Sequence, residues 1–153
     1  MKKNMFYLVL LALMAACNKP PSVSVSCNSP TKDVSIAQKL IIGKWVWVYS
    51  NHYNRLLGKN ELWTPEVKDI IRVMEFDTKG NLSMFEDGKL TAQTTYEFQK
   101  YSVSTNIPAD STRFVLLCKG RGNTFFKICS DSMYLPYQSF GYDASGDEVW
   151  MKN

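Results

Sequence analysis

The chain has 153 residues and a formal net charge of +4 at pH 7; 13% of its residues are aromatic and 21% charged. The length suits one domain, and acidic and basic residues interleave throughout, which excludes the basic stripe of a nucleic-acid-binding protein. A single histidine, His52, and four dispersed cysteines with no CxxC spacing exclude a metal cluster of the usual kind, so neither metal nor cofactor is expected.

The first residues, MKKNMFYLVLLALMAAC, place Lys2 and Lys3 before an apolar core from Met5 to Leu13 and the small residues Ala15 and Ala16 before Cys17. That is the layout of a secretory signal peptide over residues 1–16. The LMAAC box resembles a bacterial lipoprotein signal. The resemblance implies cleavage before Cys17, a lipidated thiol at that residue and an acylated amine. Each buried methylene of an acyl chain adds roughly 0.8 kcal/mol, so several chains together hold a protein on a membrane. No other segment approaches the ~20 apolar residues of a spanning helix.

Residues 17–32 are rich in Ser, Pro and Asn and read as a flexible tether. No acidic run follows Cys17, which tilts the expected location to an outer membrane, anchored on its periplasmic face. Residues 33–42, DVSIAQKLII, predict a short amphipathic helix capped by Asp33 or Thr31, with Ile36, Leu40 and Ile41 on one face and Gly43 at its end.

From Gly43 the apolar period changes to two. Trp45, Trp47 and Tyr49 fall on one face of a strand, Lys44, Val46, Val48 and Ser50 on the other. A long connection over 51–69 follows, in which Thr64 and Pro65 signal one short helical turn. The remainder alternates strands with tight turns: IIRVMEFD, LSMFE, a two-residue hairpin at Asp87-Gly88, the long KLTAQTTYEFQKY, then RFVLLCK and TFFKICS around GRGN, SMYLPYQSF, and EVWMK. Pro136 marks its strand as an edge or bulged one. These eight sequential strands predict an all-β domain over 33–153, an eight-stranded antiparallel up-and-down barrel with a short N-terminal helix. A two-sheet sandwich is the alternative.

The Ile41-x-Gly43-x-Trp45 start, the Phe76-to-Gly80 turn and a last strand bearing Trp150 and Lys152 resemble the lipocalin-like lipoproteins of Bacteroidetes. The resemblance implies that Trp45 plugs the closed end of the barrel and that Gly43, Trp150 and Lys152 complete the closure. Lipocalins carry an arginine where this chain has Lys152, and a lysine lacks the planar stacking of a guanidinium on indole. The resemblance also implies binding of a small apolar or amphipathic ligand. Candidate pocket residues are Trp47, Tyr49, Phe76, Tyr96, Phe98, Phe126 and Ile128.

An eight-stranded barrel is either filled by its own side chains or wide enough for one small ligand. A filled barrel points instead to a non-catalytic interaction or assembly module with a protein partner. No catalytic residues stand out. His52 lies in a polar context, and the pairs Glu86-Asp87 and Asp147-Glu148 look like solvated hairpin ends. The strands FVLLC and FFKIC are apolar on both faces, so a cover is expected from the helix, from Leu62 and Trp63, or from a partner. With GRGN as a two-residue turn, Phe114, Leu116, Cys118, Phe125 and Cys129 share one face, and Val115, Leu117, Phe126 and Ile128 the other. An odd number of thiols remains beyond Cys17. Cys118 and Cys129 are expected as buried, unreactive thiols.

Overall fold

Alternation of apolar and polar residues along the chain builds an almost purely β architecture. The structure, a computed structural model, describes residues 27, 29–54, 56–100, 114–120, 122–138 and 144–153; the expected signal segment, Cys17 and most of the expected tether lie outside these. Helix α1 (Val34–Ile41) leads into β1 (Gly43–Asn54), β2 (Lys59–Trp63), the short helix α2 (Pro65–Lys68), β3 (Arg72–Phe76), β4 (Asn81–Glu86), β5 (Lys89–Lys100), β6 (Phe114–Cys118), β7 (Gly122–Ile128), β8 (Ser132–Gln138) and β9 (Ala144–Lys152). The sheet order is β2-β1-β3-β4-β5-β6-β7-β8-β9, and β9 also pairs with β1. Every pairing is antiparallel, so β1 and β3 to β9 form a closed eight-stranded barrel, and the sandwich alternative is set aside. The eight expected strands are all present. The addition is β2, inside the expected long connection, which continues β1 as a hairpin beyond the point where β3 begins.

One end of the barrel is closed by α1. Asp33 accepts hydrogen bonds from the Ser35 and Ile36 amides at 2.7 and 3.1 Å and from the Ser35 hydroxyl, satisfying the free N–H groups of the first turn. These bonds, the Ser35 hydroxyl first, hold the Asp33 carboxyl below its ordinary value. Ala37 and Ile41 are buried, with Val34 and Leu40 packed beside them, whereas Ile36 is about half exposed. The buried stripe thus runs Val34-Ala37-Ile41, one helical face at 3.6-residue spacing, and Ile36 lies off it.

The faces of the strands are set by two local irregularities. In β1, Trp47 stands opposite Trp150 and Tyr49 opposite Val149, so Val48 is an extra, bulged residue. Trp45 and Trp47 are buried as expected of one face, but after the bulge Ser50 points inward and is fully buried while Tyr49 turns outward beside Tyr134 and Asp147. Partial burial there, first of all, raises the Tyr49 phenol above its usual value.

In the β6–β7 hairpin, Cys118 pairs with Gly122, making the turn three residues long instead of two. Gly120 and Gly122 carry the positive φ that this three-residue turn needs. The one-residue difference flips β7: Phe114, Leu116 and Cys118 share the inner face with Phe126 and Ile128, and Phe125 goes outside. Val115, Leu117 and Phe125 on the outer face are half-buried. Leu62 and Trp63 do not cover them, because β2 lies beside β1, across the barrel order. The Asp87-Gly88 turn is the expected two-residue hairpin, with both residues at positive φ. Pro136 is paired to Asp147 of β9, beyond the last described pair between β7 and β8.

The cysteines differ from expectation. Cys27 and Cys129 form a disulfide across a separation of 102 residues, with 5.8 Å between Cα atoms. Ile128 faces inward, so Cys129 faces out, toward the passing N-terminal segment. The Cys27 amide donates to the Tyr134 hydroxyl and the Thr31 amide to the Ile128 carbonyl, both at 3.1 Å. The end of the expected tether is therefore clasped to the barrel wall. Cys118 stays outside the disulfide, half-buried on the inner face.

Candidate functional site

The barrel axis is occupied by side chains in layers. At the closed end Trp45 is fully buried, and its indole N–H donates to the Ile41 carbonyl at 2.7 Å. Lys152, opposite Trp45 in the β1–β9 ladder, lays its ammonium 5.5 Å from the Trp45 ring centroid and donates to the Leu40 carbonyl at 2.7 Å. Those carbonyls belong to the last turn of α1, where a cation also meets the helix dipole favourably. Gly43 has φ near +124°, and a Cβ there would come within 3.2 Å of the Lys152 Cε. Gly43, Trp45 and Lys152 therefore stand together at the closed end. A lysine fits because its work here is to bond a carbonyl end-on, a point-charge task that needs no planar fork.

Trp150 does not belong to that cluster. It lies one layer further along, opposite Trp47, and both are buried. Between this layer and the mouth stands a polar group that the sequence reading missed. Arg72 opens β3 just where β1 leaves β3, since Val46 pairs with Val73 and Ser50 already pairs with β2. Its guanidinium carbon lies 4.9 Å from the Trp47 ring centroid and 5.2 Å from that of Trp150. It donates to Glu148 at 3.0, 3.1 and 3.3 Å. The buried Ser50 hydroxyl accepts from the Trp47 indole at 2.9 Å and donates to Glu148 at 3.3 Å.

The side chains of Arg72 and Glu148 are only 23% and 12% exposed, so Glu148 is an inner-wall residue and not part of a solvated hairpin end. Its position was readable: Glu148 is two residues from Trp150 on one strand and must share its face. Arg72 carried the same signal, two and four residues before Met74 and Phe76 on its strand, but its meeting with Glu148 depends on the partner switch of β1. The expected result of Glu148→Ala is a loss of about 3 kcal/mol in urea unfolding, from leaving a part-buried guanidinium without its carboxylate. Replacing Arg72 and Glu148 together by apolar residues of similar size should cost less than Glu148→Ala alone. If the double variant is the less stable one, the pair contributes net stability and this reasoning fails.

The other pocket candidates are split between filling and lining. Phe76 is buried, edge-on to Tyr96 at 5.2 Å. Phe126 is buried and packs with Phe98 at 5.2 Å and with the equally buried Phe114 at 5.8 Å; Ile128 is buried beside them. Tyr96 and Phe98 are half-buried. They border a cleft of about 450 Å³ between α1 and β5, shared with Ser35, Lys39, Ile42 and Thr78. A smaller cleft of about 270 Å³ lies along Thr95–Glu97 and Leu117–Lys119. His52 pairs with Gly146 and Glu61 in the ladders of β1. Among the described residues no group of three or more His, Cys, Asp or Glu comes together as a metal site.

The fold and its interior define a closed antiparallel barrel, capped by one helix and filled by aromatic side chains and one ion pair. Comparison with protein-family models, curated proteins and solved structures returns no match.

Proposed function

We propose that the chain is a lipid-anchored, lipocalin-like protein of the cell envelope. In this reading Cys17 carries the anchor on the periplasmic face of an outer membrane, and the barrel acts without catalysis as a rigid interaction or assembly module. The supporting observation is the filled axis: Trp45, Trp47, Trp150, Phe114 and Phe126 are all at most 2% exposed, with the Arg72–Glu148 pair above them. Close-packed side chains leave no room for a guest without repacking, which costs ~1–3 kcal/mol or more. Contacts would then be made from outside. Leu56, Leu57, Leu62, Val67 and Ile71, all in the segment between β1 and β3, are exposed around the mouth.

A second reading is favoured by one feature. The cleft between α1 and β5 has the volume of a small-molecule site, an aromatic floor of Tyr96 and Phe98, and Lys39 at its border. That combination suits a small amphipathic anion. Native mass spectrometry of the solubilised full chain, with melting measured against a panel of fatty acids and retinoids, separates the two. The module reading expects the lipidated polypeptide, in one copy or two, with no further mass and unchanged melting. A retained adduct, or a stabilisation that Phe98→Ala removes, would establish the carrier instead.

A further inference from the structure

Among the described residues, β2 (Lys59–Trp63) is the strand that ends the sheet order, bonded to β1 alone, while every strand of the barrel proper has a neighbour on each side. Its outer edge presents a row of backbone amide and carbonyl groups, the template on which a sheet takes up another strand. The residues around it are exposed: Lys59 and Asn60 on the strand, Leu62 at 58%, and Leu56 at 89% with Leu57 at the hairpin tip. An edge with no second strand partner among the described residues, beside large exposed aliphatic groups, marks an interaction site more often than a free surface.

We infer that a second copy of this chain docks here, the two β2 strands pairing antiparallel about a two-fold axis. The charge pattern selects a second copy. A two-fold axis normal to the sheet keeps each residue on its own face, so the axis must pass through a residue position. Centred on Lys59, it sets two lysines directly opposite; centred on Glu61, it sets two glutamates opposite. Both arrangements are destabilising. Centred on Leu62, it leaves Lys59 and Glu61 out of mutual contact.

Centred on Asn60, it places two asparagines at the axis and sets Lys59 of each chain opposite Glu61 of the second copy, twice. The strand is then complementary to itself in this register. The same register carries the tip leucines of each hairpin, Leu56 and Leu57, toward the Leu62 end of the other strand and so covers exposed apolar groups on both chains. The contact is isologous and closes on itself, giving a finite dimer. This inference stands apart from the module reading, since a bound ligand would overturn that reading and leave the edge unchanged.

The test is cross-linking of the full-length chain in whole cells that express it. In the proposed register the two Asn60 residues face each other at about 4.5–5.5 Å between Cα atoms, within reach of a disulfide. Asn60→Cys is compared with Lys79→Cys, an exposed position in the turn at the closed end. Copper(II)–phenanthroline takes the two electrons as two thiols lose their protons to solvent and form one S–S bond.

Asn60→Cys is expected to run mostly at twice the chain mass on a non-reducing gel, and Lys79→Cys to stay at the mass of one chain. Adding Lys59→Glu to Asn60→Cys should cut the dimer about tenfold, since two attractive pairs become repulsive. Adding Glu61→Lys as well should restore it. If Asn60→Cys cross-links no more than Lys79→Cys, or joins a different protein, the inference is overturned. Failure of the charge exchange to restore the dimer, in a variant that melts within a few degrees of the parent, overturns the register.

Discussion

Replacing Cys27 and Cys129 together by serine is expected to lower the stability of the barrel by about 3–5 kcal/mol. The cross-link spans 102 residues, and closing a loop of that size removes ~4–5 kcal/mol of entropy from the unfolded chain. The native state loses little by comparison. The Thr31 amide still reaches the Ile128 carbonyl, and the Cys27 amide position still faces the Tyr134 hydroxyl. Urea unfolding of the double-serine variant, and of the parent with and without dithiothreitol, reads the effect directly. The reduced parent and the variant should coincide. A change below ~1 kcal/mol would mean that the clasp fixes only the segment near Cys27. The denatured, unreduced chain should also titrate the Cys118 thiol and, where Cys17 carries no acyl chain, one more.

Trp45→Ala is expected to cost about 3–5 kcal/mol, the range for deleting a large buried aromatic. Trp45 supports more than its own volume. Its N–H holds the Ile41 carbonyl and its ring lies beneath the Lys152 ammonium, which itself ties the Leu40 carbonyl. Losing the indole therefore loosens the last turn of α1 from the barrel. Hydrogen exchange should rise across Val34–Ile41 while the ladder around Trp47 and Trp150 keeps its protection. Trp45→Phe separates the two contributions: it keeps most of the apolar contact but leaves a buried carbonyl unpaired, for a loss of ~1–3 kcal/mol. Equal losses in the two variants would show that the hydrogen bond, not the packing, carries the effect.

The strands themselves were legible because a half-buried wall imposes a two-residue period that survives in residues such as Ala92, Thr94, Tyr96 and Phe98, all half-buried along β5. Helix α1 was legible through Asp33 and Gly43, whose local chemistry marks its two ends. Three features were not. The bulge at Val48 leaves no mark in composition, yet it exchanges Tyr49 for Ser50 on the inner wall. The β6–β7 turn is one residue longer than the glycines alone suggest, and that single residue decides whether Phe125 or Phe126 faces the core. The disulfide joins a Ser- and Pro-rich segment to a turn far along the chain, and only the closed barrel brings them together. The Arg72–Glu148 pair was half legible: the two-residue period puts each side chain on the inner wall, but their meeting needs β1 to change partner between Val46 and Ser50, a property of three strands at once.

The Cys27–Cys129 clasp also decides how the domain carries mechanical load. The chain enters at the closed end, so any pull from the residues before Cys27 arrives beside the β7–β8 turn. With the disulfide intact the force passes through the sulfur bridge into that turn and is shared by the closed wall, whose strands β8 and β9 are paired along seven positions. The stretch from Cys27 to Asp33 and helix α1 hangs as a slack branch and bears no tension. In the reduced protein the same tug runs through that branch. It would break the Cys27–Tyr134 and Thr31–Ile128 hydrogen bonds first, then reach the Asp33 cap and peel the helix from Trp45 before any strand is strained.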